Sequence, residues 1–507
     1  MTSTARTGNS PDRPDGAPDP VRVRIVLAAV AMTLLTASLG QTIVSTALPR
    51  IVSDLGGMAH ITWVMTAYLL ASTVGAPICG KLGDLFGRKI VMQGGIVVFL
   101  LGAVIAGLAQ NMGVLIAGRA VQGLGGGGLI VVAMAVVADV LPPRERGKAQ
   151  GILGAVFGVS TVLGPLIGGF LVEQLSWHWI FFANLPVGLT AFVALALTLK
   201  GQAPRARARV DYAGAALLAI FLSDAVLLSG ARGLSLPGGD AAVVGGVVLA
   251  LCALAGFIAV ERRAAEPILP LPLFRNPTFL VVNAVGFLVG MAMFGTITFM
   301  PLFLQVVKDV DATTSGLFLL PMMGGLLGTS ILAGQVMSRT GRYRLLPVLS
   351  TGVLALAMLL LARIGAQSSL WGIAACMLLV GVGLGPVFSI GVAAIQNAVP
   401  VAMLGVGTAS ANMFRLIGGS VGTAAFGAIF SSELATHLAG SLPEGMTGGV
   451  GSVSAEAVHA LPARAQAAVL DAFSQALHPI FLVAAACAVV SCLIATRLQE
   501  RPLSATL

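Results

Sequence analysis

Charged side chains are scarce in this sequence, and those that interrupt its apolar runs are where chemistry would be sought. Arg119, Asp224 and Arg415 each stand inside a stretch apolar enough for a membrane helix. A charge in lipid is costly and faces a cavity or a partner, so each is a candidate for proton coupling or substrate binding. Gln122 follows Arg119 by three residues and shares its helix face. Gln41, Thr42, Asn283 and Asn412 add polar groups to other apolar runs. A second group is Gly80-Lys-Leu-Gly-Asp84-Leu-Phe-Gly87-Arg88-Lys89. Its glycines permit a tight turn and close helix approach. Asp84, at a helix end, can face the N-terminus of another helix. Arg88 can pair with a carboxylate such as Asp139 or Glu145. A third group, Gly151, Gly164, Pro165, Gly168 and Gly169, gives one helix flat faces and a bend.

These residues must be positioned by membrane helices. Of 507 residues, 57% are hydrophobic and 10% charged, against about 25% charged in soluble domains; the mean hydropathy is +0.96. That balance excludes a cytosolic enzyme, a nucleic-acid binder and a secreted disulfide scaffold. A crossing needs about 20 apolar residues, and fourteen such runs follow one another, so the spacing predicts an all-α polytopic membrane protein. An even count puts both termini on one side. Of 29 Lys and Arg, 22 fall on the side of the termini, 5 on the other and 2 inside helices, which predicts cytoplasmic termini in a cell membrane. Residues 1–24 read as a disordered cytoplasmic tail, and 498–507 as a second one. The bundles are expected at 25–200 and 266–497, joined by a linker with two inserted helices at 201–265. The longest outer loop is expected at 433–475. The five cysteines lie in apolar runs without metal-ligand spacing and read as small hydrophobes, so no disulfide, metal or other cofactor is expected. Gly123 to Gly128 match Gly-x-Gly-x-x-Gly but follow a membrane helix, so no nucleotide is expected there. No P-loop is found, and a proton gradient is the expected energy source.

An internal repeat organises the chain. Gly80, Gly87 and Arg88 recur as Gly334, Gly341 and Arg342, 254 residues on, with Ser338 in place of Asp84. The first copy follows helix 2 and the second follows helix 10, so helices 7 and 8 read as an insertion between two six-helix halves. The first loop resembles the signature of the major facilitator superfamily. Further motifs are similar to its fourteen-helix drug:proton antiporter branch: Arg119-Ala-Val-Gln122-Gly123, the glycines of helix 5, Trp177-His-Trp179-Ile-Phe-Phe-Ala-Asn184-Leu-Pro186, Glu266-Pro-Ile-Leu-Pro-Leu-Pro-Leu-Phe274-Arg275 and Phe414-Arg415-Leu-Ile-Gly418-Gly419.

The resemblance implies two six-helix bundles that rock about a central cavity, with Gly80, Asp84, Gly87, Arg88 and Asp139 as a latch that closes the cytoplasmic side. It links the helix 5 glycines to export, and Arg119 to proton or substrate handling. One position departs: Gly40 stands where the branch has an aspartate that supports coupling and cation recognition. The expected function is export of small amphipathic drugs or antibiotics by proton antiport. An exporter dedicated to an endogenous metabolite, such as a self-made antibiotic, is the alternative; a non-transporting sensor fits the latch less well. The expected partners are the substrate and the lipid bilayer.

Overall fold

The computed structural model describes residues 20–55, 61–199, 201, 210–230, 239–310, 312–438 and 463–500. Among them there is no strand. The long helices are α1 (Pro20–Thr42), α2 (Ile61–Phe86), α3 (Arg88–Gly107), α4 (Met112–Val140), α5 (Pro143–Gln174), α6 (Asn184–Thr198) and α7 (Tyr212–Gly230). They continue as α8 (Gly239–Glu261), α9 (Pro277–Val307), α10 (Leu319–Thr340), α11 (Leu345–Leu361), α12 (Leu370–Ala398), α13 (Leu404–Leu438) and α14 (Ala463–Ala495). Eleven helical segments are long and apolar enough to cross a membrane; Tyr212–Leu228 and Leu345–Leu361 are apolar but shorter. Length and hydropathy thus support eleven of the fourteen expected crossings among the described residues.

Local chemistry sets the helix ends. The Asn111 side chain accepts from the Val114 amide at 2.9 Å and opens α4. Asn276 does the same for α9 through the Thr278 amide at 3.0 Å, with Pro277 in the first helical position. Gly341 ends α10 in the left-handed conformation, φ +69°, and Gly87 separates α2 from α3 at φ +91°. The two glycines matched by the repeat therefore share a backbone requirement that only glycine meets cheaply.

Some bounds differ from the sequence reading. α1 ends at Thr42 and gives way to a 3₁₀ turn at Ile43–Thr46. It begins at Pro20, inside the expected tail, while 1–19 lie outside the described residues. α13 and α14 both extend into the expected 433–475 loop. The amphipathic stretch 463–477 is the first half of α14, its apolar side buried at Val469, Phe473 and Leu477; 439–462 lie outside the described residues.

Packing repeats with an offset of eight helices. The pairs α2–α4, α3–α4, α1–α5, α1–α6 and α3–α6 recur as α10–α12, α11–α12, α9–α13, α9–α14 and α11–α14. Each six-helix unit encloses its own apolar core, around Phe99, Met92 and Leu34 in the first and Phe303, Met358 and Leu384 in the second. The units meet through α5 on α10 and its symmetry counterpart, α2 on α13. The inserted pair α7–α8 belongs to neither six-helix repeat and packs on both units through α7, which leans on the α2–α13 joint.

Candidate functional site

The joint between the units is where the first signature lies. Gly80 lets α2 and α13 approach: a Cβ there would sit 2.8 Å from the Cβ of Ala409 and 2.9 Å from the Gly405 carbonyl. Four residues on, Asp84 crosses to the other unit. Its Oδ1 accepts from the Gly405 amide and its Oδ2 from the Val406 amide, each at 2.9 Å. A carboxylate thus caps the N-terminus of α13, where unpaired N–H groups and the helix dipole favour negative charge. Behind it, buried Arg88 donates to Asp84, and its Nε donates to Asp139 Oδ2 at 3.3 Å. Four helices, α2, α3, α4 and α13, are joined by this relay of alternating charge.

Two further contacts seal the same end, and sequence reasoning missed their residues. Arg146, near the start of α5, donates from Nη1 to the Gln396 carbonyl at 3.0 Å and to Asn397 Oδ1 at 2.8 Å, both at the end of α12. Its Nη2 and Nε donate to the carbonyls of Ala138 and Leu141 at the end of α4. One cation therefore satisfies the C-termini of two helices from different units. Beside it, the Nε2 atoms of Gln150 and Gln396 each donate to the Met134 carbonyl at 3.0 Å. The only signal in the sequence was a glutamine at 150 and at 396 inside apolar runs.

The α5 glycines divide between two tasks. Gly151 faces the second unit: a Cβ would lie 2.8 Å from the Ser330 carbonyl of α10. Gly164 faces α1 and meets Thr42. Thr42 in turn donates to the Ser160 carbonyl at 3.0 Å, and Ser38 donates to Ser160 Oγ at 2.5 Å. Gly168 is buried, while Gly169 has nothing within 4 Å. The side chain of Pro165 lies outside the described residues.

Arg119 is sealed inside the first unit. It donates to the carbonyls of Gly40 (2.7 Å) and Val64 (3.2 Å) and to Gln122 Oε1 (2.7 Å), with the Tyr68 ring 4.3 Å from its guanidinium carbon. It clamps α1, α2 and α4 together without a carboxylate. Its Nη2 and Gln122 Nε2 are buried and unpartnered. Gly40 lies against them: a Cβ would be 3.2 Å from Gln122 Nε2 and 2.5 Å from Cζ of Phe99. The Phe99 ring fills the space an acidic side chain at 40 would need.

The remaining candidates scatter. Arg415 donates to Asn412 on its own helix and stacks over Phe388 of α12, 4.1 Å from the ring centre. Gln41 is half-buried on α1. Asn283 is buried and donates to the Phe279 carbonyl at 2.8 Å, a local bond within α9. Asp224 joins neither arginine. It lies between α7 and α8, with Oδ1 3.3 Å from where a Cβ of Gly246 would stand, so it belongs to the inserted pair rather than to a central cavity.

A sequence profile of the Major Facilitator Superfamily matches residues 30–423. The chain belongs to the major facilitator superfamily. It is 39% identical over 485 residues, 96% of this chain and 71% of the other, to "Uncharacterized MFS-type transporter Rv1877" of Mycobacterium tuberculosis (strain ATCC 25618 / H37Rv). It is likewise 39% identical over 416 residues, 81% of this chain and 75% of the other, to "Multidrug transporter protein MdtP" of Bacillus subtilis (strain 168). The crystal structure of the human transporter MFSD10 superposes with a TM-score of 0.62 at 14% identity, covering 94% of this chain and all of that one, and shows the shared fold. This superfamily member is a multi-pass membrane transporter, not an enzyme, and such transporters bind small substrates within the membrane.

Proposed function

We propose that this chain exports small amphipathic drugs or antibiotics by proton antiport, alternately opening a central chamber to either side of the membrane. All fourteen long helices cross the bilayer in this reading, and both termini face the cytoplasm, on the side richer in Lys and Arg. The Bacillus subtilis relative named as a multidrug transporter supports the substrate class. The observation that carries the mechanism is the Asp84 carboxylate on the α13 amides. A cap of this kind is worth about 1 kcal/mol. Together with the Arg146 and Gln150 contacts it supplies a closure of a few kcal/mol, a size that substrate or proton binding shifts. The arrangement is then the state closed to the cytoplasm.

The test is flux from proteoliposomes holding the full-length protein and an amphipathic dye, under an imposed pH gradient. Flux is expected to rise with the gradient and to fall about tenfold or more when the gradient is collapsed. Flux indifferent to the gradient would overturn proton antiport.

A further inference from the structure

Two guanidiniums lie within the membrane-spanning part of the chain, and neither meets a carboxylate. Arg119 has its carbonyl and amide partners within the first unit. Arg415 is different. Its Nη2 donates to Asn412, and its face lies on Phe388. Its other N–H groups have no partner among the described residues, and unlike Nη2 of Arg119 they are not sealed. Depth agrees from two helices. Arg415 stands eleven residues inside the start of α13, and Phe388 ten residues inside the end of α12. At 1.5 Å per residue both lie about 15 Å inward from the end that Asp84 caps, so the two side chains share one level of the bundle.

No acid shares that depth. Among the described residues, the carboxylates on long helices lie toward their ends, Asp471 eight residues inside α14 and exposed, except Asp224, which faces α8. The site that would hold an acid on α1 is Gly40, and Phe99 occupies its space. A cation brought beside half-buried Arg415 meets positive charge and no counter-charge. An anion meets an oriented, partly desolvated guanidinium whose free N–H groups suit two carboxylate oxygens, beside an aromatic ring for an apolar body.

We propose that Arg415, oriented by Asn412 and backed by Phe388, is the receptor for the acidic group of an anionic amphipathic substrate. The inference rests on the export reading and narrows its substrate class. The guanidinium donates two hydrogen bonds to a carboxylate or phenolate, and Phe388 packs against the adjoining ring. The unpaired charge on Arg415 is thereby neutralised on binding, so the acid contributes to affinity rather than opposing entry.

Equilibrium binding to the purified full-length protein tests this with three dyes: fluorescein (anionic), Nile red (neutral) and rhodamine 6G (cationic). Fluorescein is expected to bind more tightly than rhodamine 6G. Arg415→Gln should weaken fluorescein about tenfold or more and leave Nile red unchanged, since a hydrogen-bonded charge contact is worth at least that factor. Arg415→Lys should keep part of the fluorescein affinity, which separates loss of charge from loss of fold. Fluorescein affinity unchanged in Arg415→Gln, or a wild-type preference for rhodamine 6G, would overturn the inference. Nile red binding without fluorescein binding removes this inference and leaves the export reading standing. Failure of all three dyes removes the export of small amphiphiles, and this inference with it.

Discussion

Gly87 shows what a single residue contributes here. Its φ of +91° with ψ of 146° is open to glycine and strained for any L side chain. Gly87→Ala is therefore expected to lower the stability of the detergent-purified protein by about 1 kcal/mol or more. Gly94, exposed in α3 with nothing within 4 Å, is the control: Gly94→Ala should leave the thermal midpoint unchanged or raise it. A thermal shift assay on the pair separates backbone strain from general damage; equal effects would contradict the account. A requirement of this kind is legible in sequence because it is local: the matched glycines at 87 and 341 marked it. Arg146 was not legible in the same way. Its meaning lies in the Gln396 carbonyl and Asn397 side chain of α12, 250 residues away and more, and a backbone carbonyl leaves no trace in residue types. Gly40 stood between these cases. The missing acid was readable, while the Phe99 ring that fills its place was not.

At the scale of elements, α5 is a helix with two working faces. Its Gly151 face packs closely against α10, and its Gly164 face is fastened to α1 through Thr42 and Ser160. The spacing of small residues predicted close packing without saying which neighbour each glycine meets, because residue types do not name the helix across from them. Gly151→Val should keep α5 and α10 apart and reduce flux about tenfold or more, at a packing cost of about 1–3 kcal/mol. Gly169→Val fills open space and should leave flux unchanged. Flux assays at matched membrane abundance decide between them, and equal loss from both would contradict the division of faces. The helix ends followed the same logic as the glycines. Asn111 and Asn276 mark starts that short-range chemistry fixes. The 433–475 region was harder, since amphipathic residues 463–477 continue α14 by burying Val469, Phe473 and Leu477.

At the scale of the molecule, two six-helix units repeat one packing plan and touch through symmetric pairs, α2 with α13 and α5 with α10. Small residues let the helices of that joint pack closely, and a few hydrogen bonds span it at one end. The repeat was visible in sequence from Gly80, Gly87 and Arg88 and their counterparts, yet it carries one asymmetry. Asp84 caps α13, whereas Ser338 stands at the matching place in the second copy. Of the contacts that join the units at this end, the Asp84 cap is the one that rests on a carboxylate accepting from the other unit, and losing its charge should shift the molecule toward the state open at that end. The most direct measurement is the distance between spin labels at Ile90 and Val401, exposed positions of the two units at the Asp84 end, introduced with the native cysteines replaced. The account predicts a dominant short distance in the otherwise native chain and a longer second population in Asp84→Asn. One unchanged distance in both proteins, with or without substrate and a pH gradient, would contradict it.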